Sequence, residues 1–155
     1  MRENPLSLEG QPCPRCREGR LVAVRVDDAF DLRTETGIVH VVALGVPIEE
    51  CPRCGEQLIG PESGRVRHDA ICKTVGLLTP EEIRGIRERL GLTQSEFSDL
   101  TGFGEATISR WERGRLLQNR ANDRYLRLLA DAPDNVRRLM VMVEATPSPR
   151  IESPV

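Results

Sequence analysis

The chain has 155 residues, 39% of them hydrophobic and 30% charged, which excludes wholesale disorder and leaves room for one ordinary domain or two small ones. A net charge of −2 excludes a uniformly basic nucleic-acid binder. The absence of any apolar run of about 18 residues, and of an apolar core in the N-terminal MRENPLSLEG, excludes a spanning helix and a signal peptide and predicts a cytoplasmic protein with no membrane partner. In that compartment thiols stay reduced, so five cysteines point to metal before disulfides.

In chain order, residues 1–12 read as a mobile leader and residues 13–60 as a small domain. Its β-like runs are RLVAVRV (20–26) and IVHVVALGV (38–46), with the polar DDAFDLRTETG between them as the connecting turn region. Two knuckles, Cys13-Pro-Arg-Cys16 and Cys51-Pro-Arg-Cys54, flank these runs. Each lets two thiolates point at one centre, and four thiolates at about 2.3 Å complete a tetrahedral Zn²⁺ site with no open position. One structural zinc per chain is therefore expected. A domain with the single aromatic Phe30 between its knuckles needs the stability that the metal supplies. Redox pairs of the thioredoxin type open a helix in a βαβ unit, and neither knuckle has that setting. Cys72, His40 and His68 stand alone and read as structural or exposed.

Residues 61–76 predict a helical connector with Val66, Ala70 and Ile71 on one side. From residue 77 to 144 five helices follow. Thr79-Pro80-Glu81-Glu82 is a capping box before Ile83, Ile86 and Leu90, and Gly91 stops that helix. Thr93-Gln94-Ser95-Glu96 caps the second helix, Gln94–Leu100, and the third spans Glu105–Arg113. Ala121–Ala130 and Val136–Glu144 complete the set, with Tyr125, Leu126 and Leu129, then Val136, Leu139, Met140 and Val143 as core faces. The Pro/Ser-rich residues 145–155 predict a disordered tail. The expected fold class is thus a small zinc-bound α/β N-terminal domain of short β-strands and CxxC knuckles, joined to an all-α five-helix C-terminal domain.

The second and third helices, LTQSEFSDLTGFGEATISRWERG, carry the chemistry. Gly102 turns the chain, Ser98 is small where the helices touch, and Phe97, Ile108 and Trp111 have core spacing. Facing outward on the third helix are Glu105, Ala106, Ser109, Arg110 and Arg113, with Thr107 at the edge. Phe103–Arg127 holds six arginines against three acidic residues, a local basic patch on a nearly neutral protein. A helix fits the major groove of B-DNA, an arginine on its early turns reads guanine O6 and N7, and Gln94 is placed to donate to a phosphate.

The motif LTQSEF…TGF…TISRWERG closely resembles the Xre/Cro family of helix-turn-helix proteins. That resemblance implies a phosphate contact for Gln94, base-reading positions for Glu105, Ala106 and Arg110, and a pairing of Arg87 with Glu112 that ties the first helix to the recognition helix. Ser98 replaces the family's usual alanine, and Ala106 stands where some members carry an asparagine. The order CPRC…LGVPIEECPRCGE, LLTPEEIRGIRERLGLTQSEF, SRWERG…ANDRYLRLL over residues 13–140 resembles the MqsA family of antitoxins and the related YgiT-type zinc-finger proteins. What it implies is an antitoxin whose zinc domain binds a toxin, usually a small ribonuclease. Its helical domain is implied to form a homodimer on a palindromic operator in its own promoter.

Residues 1–60, with 7 arginines against 10 acidic residues, suit a basic partner. Three other classes compete with this reading. A zinc-finger helix-turn-helix regulator without a toxin would bind metal or ligand exchangeably. An RNA-binding zinc ribbon would show stacking aromatics, which the N-terminal half lacks. An enzyme is not expected, because no nucleophile stands beside a base and the metal site is closed.

Overall fold

The computed structural model describes residues 8–145; residues 1–7 of the expected leader, and the expected tail beyond Ala145, lie outside them. The chain divides into two compact units, Met1–Thr79 and Pro80–Val155.

In the first unit the polar stretch 27–37 is not a broad turn region. It is strand almost throughout: β1 (Val22–Thr34) and β2 (Gly37–Glu50) leave only Glu35 and Thr36 in the turn. Asp28, Phe30, Leu32 and Thr34 are half-buried while Asp27, Ala29, Asp31 and Arg33 are exposed, and this period of two is a strand signal that polar composition conceals. The antiparallel register slips between Val26, opposite Val46, and Asp28, opposite Ala43. At the resulting bulge Gly45 has φ +63°, its N–H donates to Asp27 Oδ1 at 2.9 Å, and its carbonyl accepts from Arg25 at 2.9 Å. The extra residue re-phases β2, so that Val41 and Ala43 before it and Val46 and Ile48 after it are all buried.

β3 (Gln57–Ile59) pairs with the other edge of β2, giving the order β1-β2-β3. Helix α1 (Pro61–Val75) packs on this sheet: Val66 and Ala70 join the buried cluster of Ala43, Val46 and Ile48, against which Val24, Val26 and Phe30 also pack. Arg67 lies 5.0 Å over the Phe30 ring and pairs with Asp28, and the Ser63 hydroxyl donates to the Pro47 carbonyl. The segment expected to be a connector is therefore the second layer of the N-terminal unit, since its apolar stripe has nowhere else to be buried. Residues 8–12 are likewise held rather than loose. Pro12 bridges to Arg20, and Gly10 N–H donates to Leu21 O at 2.8 Å while Leu21 N–H donates to Gln11 O at 2.9 Å.

The second unit is helical among its described residues: α2 (Pro80–Arg89), α3 (Gln94–Thr101), α4 (Glu105–Glu112), α5 (Arg120–Asp131) and α6 (Pro133–Ala145). Thr93 and Glu96 close a capping box at α3, with Thr93 Oγ1 accepting from Glu96 N at 3.2 Å and Glu96 Oε2 from Thr93 N at 2.7 Å. Asn119 caps α5 through Asn122 N at 2.8 Å. Ile83, Ile86, Phe97, Ile108, Trp111 and Leu126 are buried, and Leu100, Leu129 and Val136 form a cluster joined by Leu90, Leu92, Tyr125 and Leu139. Phe103 stacks edge-on between Trp111 (5.0 Å) and Tyr125 (5.4 Å). The expected core face of α6 is only half realised. Val136 is buried and Leu139 partly so, but Met140 and Val143 are exposed, because the helix outruns the core that it packs on.

Candidate metal centre and nucleic-acid interface

The sulfurs of Cys13, Cys16, Cys51 and Cys54 all lie within 4.8 Å of one another. The pairs Cys13–Cys54 and Cys16–Cys51 are 3.6 and 3.8 Å apart, against an edge of about 3.8 Å for four thiolates at ~2.3 Å around a tetrahedral ion. The donor set and its spacing fit a closed metal site. Cys13 and Cys51 are fully buried, and Leu21 and Leu58 pack against the cluster. Hydrogen bonds from the backbone of Gly19 and Glu18 lower the Cys16 thiol to about 6. The Glu56 backbone pulls Cys54 in the same direction, but burial and its three thiol neighbours outweigh it and raise that group to about 12. Four clustered thiols cannot all ionise alone, and a cation at their centre removes that conflict.

The two knuckles are built alike. The residue after each second cysteine is left-handed, Arg17 at φ 59° and Gly55 at φ 72°. Its N–H donates to the carbonyl of the first cysteine, Arg17 to Cys13 at 2.9 Å and Gly55 to Cys51 at 2.8 Å. The arginine inside each knuckle reaches the glutamate that follows the other: Arg15 pairs with Glu56 at 3.0 Å, and Arg53 with Glu18. The hexapeptides CPRCRE and CPRCGE carried this reciprocity in the sequence. A second missed residue is Gly19. Its N–H lies 3.4 Å from Cys16 Sγ, and a Cβ there would collide with Cys51 Sγ, so only glycine lets the backbone approach the cluster this closely.

In the helical unit Glu112, 3% exposed, is the common acceptor. Arg87 donates to both carboxylate oxygens, at 2.6 and 2.9 Å, and also to Leu92 O at 2.8 Å. Gln94 Nε2 donates to Glu112 Oε2 at 2.9 Å, and Arg84 donates to the Glu112 carbonyl at 2.8 Å. Burial by itself would raise the Glu112 pKa. The bonds from Arg87 and Gln94 and the charges of Arg87 and Arg84 outweigh it and hold the carboxyl below the usual range. Arg87 and Glu112 thus join α2 to α4, and the same carboxylate orients Gln94.

Around the turn, Gly102 ends α3 at φ 75°, and the Ser98 hydroxyl donates to Phe103 O at 2.6 Å, a bond that an alanine could not make. On α4, Glu105, Ala106, Arg110 and Arg113 are exposed, Thr107 and Ser109 are half-buried, and Ile108 and Trp111 are buried.

A family model described as the antitoxin component of bacterial toxin-antitoxin systems, MqsA, matches residues 11–139. The chain belongs to the MqsA antitoxin family. Antitoxin MqsA of Escherichia coli (strain K12) is 26% identical to it over 127 residues, which cover 79% of this chain and 94% of that protein.

In this MqsA-family chain the thiol group is the one constellation of three or more potential ligands among the described residues. Cys72 is buried without joining it. His40 Nδ1 lies 2.9 Å from Asp31 Oδ1 across the hairpin, and His68, half-buried on α1, has its pKa lowered by burial against the opposing pull of Asp69. No helix among the described residues is long and apolar enough to cross a membrane.

Two outcomes follow. Gly19→Ala should lower metal affinity by on the order of tenfold, read by competition with a chromogenic chelator; an unchanged affinity would contradict the close approach. Because the Glu112 carboxyl titrates lower folded than unfolded, its contribution is present above the usual carboxylate range and lost as pH falls through its folded value. Glu112→Gln should therefore cost roughly 1–3 kcal/mol at neutral pH and flatten the acid limb of the thermal midpoint against pH. An acid limb as steep as the wild type's would remove Glu112 from the account.

Proposed function

We propose that this antitoxin neutralises a toxin, a ribonuclease by the family resemblance, through its N-terminal unit, and represses its own operon through α3 and α4 as a helix-turn-helix. Zinc is the metal of the four-thiolate site, because a tetrahedral all-sulfur set suits it and leaves no position for chemistry. The helical unit acts as a homodimer on a palindromic operator, with one recognition helix per half-site.

The observation that carries the DNA reading is the division of α4. Its inward residues are packed, while Glu105, Ala106, Arg110 and Arg113 are left exposed beside a Gln94 already oriented by Glu112. The Gln94 amide has a second N–H beyond the one that Glu112 holds, and that N–H suits a phosphate oxygen. Arg110 is the guanine reader, Glu105 an acceptor for cytosine N4, and the Ala106 methyl a contact for thymine. Arg113 adds a phosphate contact, and Thr107 and Ser109 border the groove. Support for the toxin assignment is the family membership together with the acidic balance of residues 1–60.

Arg110→Ala should weaken binding to the upstream promoter duplex by about 1–3 kcal/mol and spare binding to random duplex, measured by titration at several salt concentrations. Equal losses on both duplexes would mean that Arg110 reads no base. Cys51→Ser should abolish capture of the toxin encoded beside it while operator affinity is retained. Toxin capture that survives this change would move the toxin interface to the helical unit.

A further inference from the structure

The two knuckles are alike in sequence but not in support. The second is the turn of a hairpin: β2 ends at Glu50 and β3 starts at Gln57, Glu50 pairs with Gln57 and Glu49 with Leu58 across it, and Cys51 N–H donates to Glu56 O at 2.9 Å. The same hairpin reaches Ile48, which is buried in the cluster under α1, a cluster that contains none of the four sulfurs. The first knuckle runs into the sheet on one side, at Val22. On its other side Gln11 and Pro12 turn back to Leu21 and Arg20, so residues 10–21 close on themselves. The first knuckle is also the strained one, because Arg17 holds a left-handed φ of 59° where the second has Gly55, and a side chain disfavours that conformation. Besides the sulfurs, the knuckles are joined by Arg15–Glu56 at 3.0 Å and by Arg53–Glu18.

We propose that the first knuckle is a flap over a half-site formed in advance: Cys51 and Cys54 take the metal first, Cys13 and Cys16 close over it, and the metal leaves by the reverse route. Arg15 and Arg53 are the positioning residues that latch the flap. This rests on the reading of the four-thiolate group as a metal site and adds the path by which the metal enters and leaves it. Two sulfurs already held by a hairpin lose less freedom on binding than two that have still to be ordered, so the sheet-borne pair binds first. Opening frees Arg17 from its left-handed φ, which lowers the cost of parting the knuckles. Against it stand the two ion pairs. Each joins the arginine inside one knuckle to the glutamate after the other, so both break when the knuckles part. Their side chains are 68% and 32%, and 63% and 61%, accessible, which makes each pair weak by itself and sensitive to salt. A latch of this strength slows release without preventing it.

The test uses the full chain loaded with Co²⁺, whose thiolate-to-metal absorbance reports the sulfurs bound. Excess chelator starts release, and pulses of N-ethylmaleimide followed by peptide mass spectrometry give the order in which the thiols come free. Cys13 and Cys51 are both fully buried, so exposure in the closed state does not bias their comparison. Cys72, buried on α1 outside the thiol group, takes label when the unit as a whole unfolds. Cys13 and Cys16 should be labelled before Cys51, Cys54 and Cys72. Arg15→Glu and Glu56→Arg should each speed cobalt release by about three- to fivefold, and the double reversal should restore it to within about twofold. Arg53→Glu and Glu18→Arg should behave in the same way, and Arg17→Gly should slow release by a similar factor. Labelling of Cys51 before Cys13, labelling of Cys72 together with Cys13, charge reversals without mutual rescue, or faster release from Arg17→Gly would each overturn the flap. Those results leave the metal reading standing, since cobalt is bound in all of them. A chain that takes up no cobalt overturns the metal reading and the flap with it.

Discussion

Four sulfurs within 4.8 Å of one another are the constraint on which the N-terminal unit depends, because they join the two ends of the hairpin that carries everything else. The cluster of Cys13, Cys51 and Leu21 is distinct from the cluster of Ala43, Val46 and Ile48 under α1. Each is small. Neither has the apolar area of an ordinary domain core, so in a chain with 3% aromatic residues a metal held by the four thiols would supply stability that the core does not. Without the ion the thiols oppose one another, one drawn down to about 6 and another pushed up to about 12. A divalent cation turns that mutual penalty into a shared attraction.

Glu112 plays the corresponding part in the helical unit. A carboxylate this buried is destabilising unless it is paired and hydrogen-bonded, and here two guanidinium bonds and one amide bond supply both. The consequence reaches past stability. Because the carboxylate that locks α2 to α4 also holds Gln94, the side chain proposed to meet a phosphate would be positioned from beneath by a group that is itself buried. Folding and positioning are here one interaction. A change at Arg87 therefore disturbs both, whereas a change at Arg110, which is exposed, leaves the fold alone.

Much of this was legible in the sequence, for local reasons. The knuckles, the capping box at Thr93, the turn at Gly102 and the apolar spacing of Phe97, Ile108 and Trp111 are all short-range patterns, and short-range patterns survive without coordinates. What escaped was long-range. The strand character of residues 27–34 follows from pairing with 37–43, which makes half of a polar segment inward-facing. Residues 10–12 are ordered by Arg20 and Leu21, α1 by the sheet it covers, and Gly19 by a sulfur 32 positions away in the chain. Met140 and Val143 are exposed although the period of α6 puts them on its apolar side, because periodicity marks which side of a helix is apolar but not where the neighbouring helices end.

The residues that hold each of the two units together and those left on open surface are different sets. The four clustered cysteines, the Arg87–Glu112 pair and the glycine that ends α3 build the units. Ala106 and Arg110 lie instead on exposed surface, where a substitution costs little in stability. Exposed positions on a recognition helix decide which DNA is bound. Specificity is a difference between affinities for right and wrong partners. On the function proposed for this antitoxin, a change at Ala106 or Arg110 would separate one operator from another without disturbing the fold beneath it.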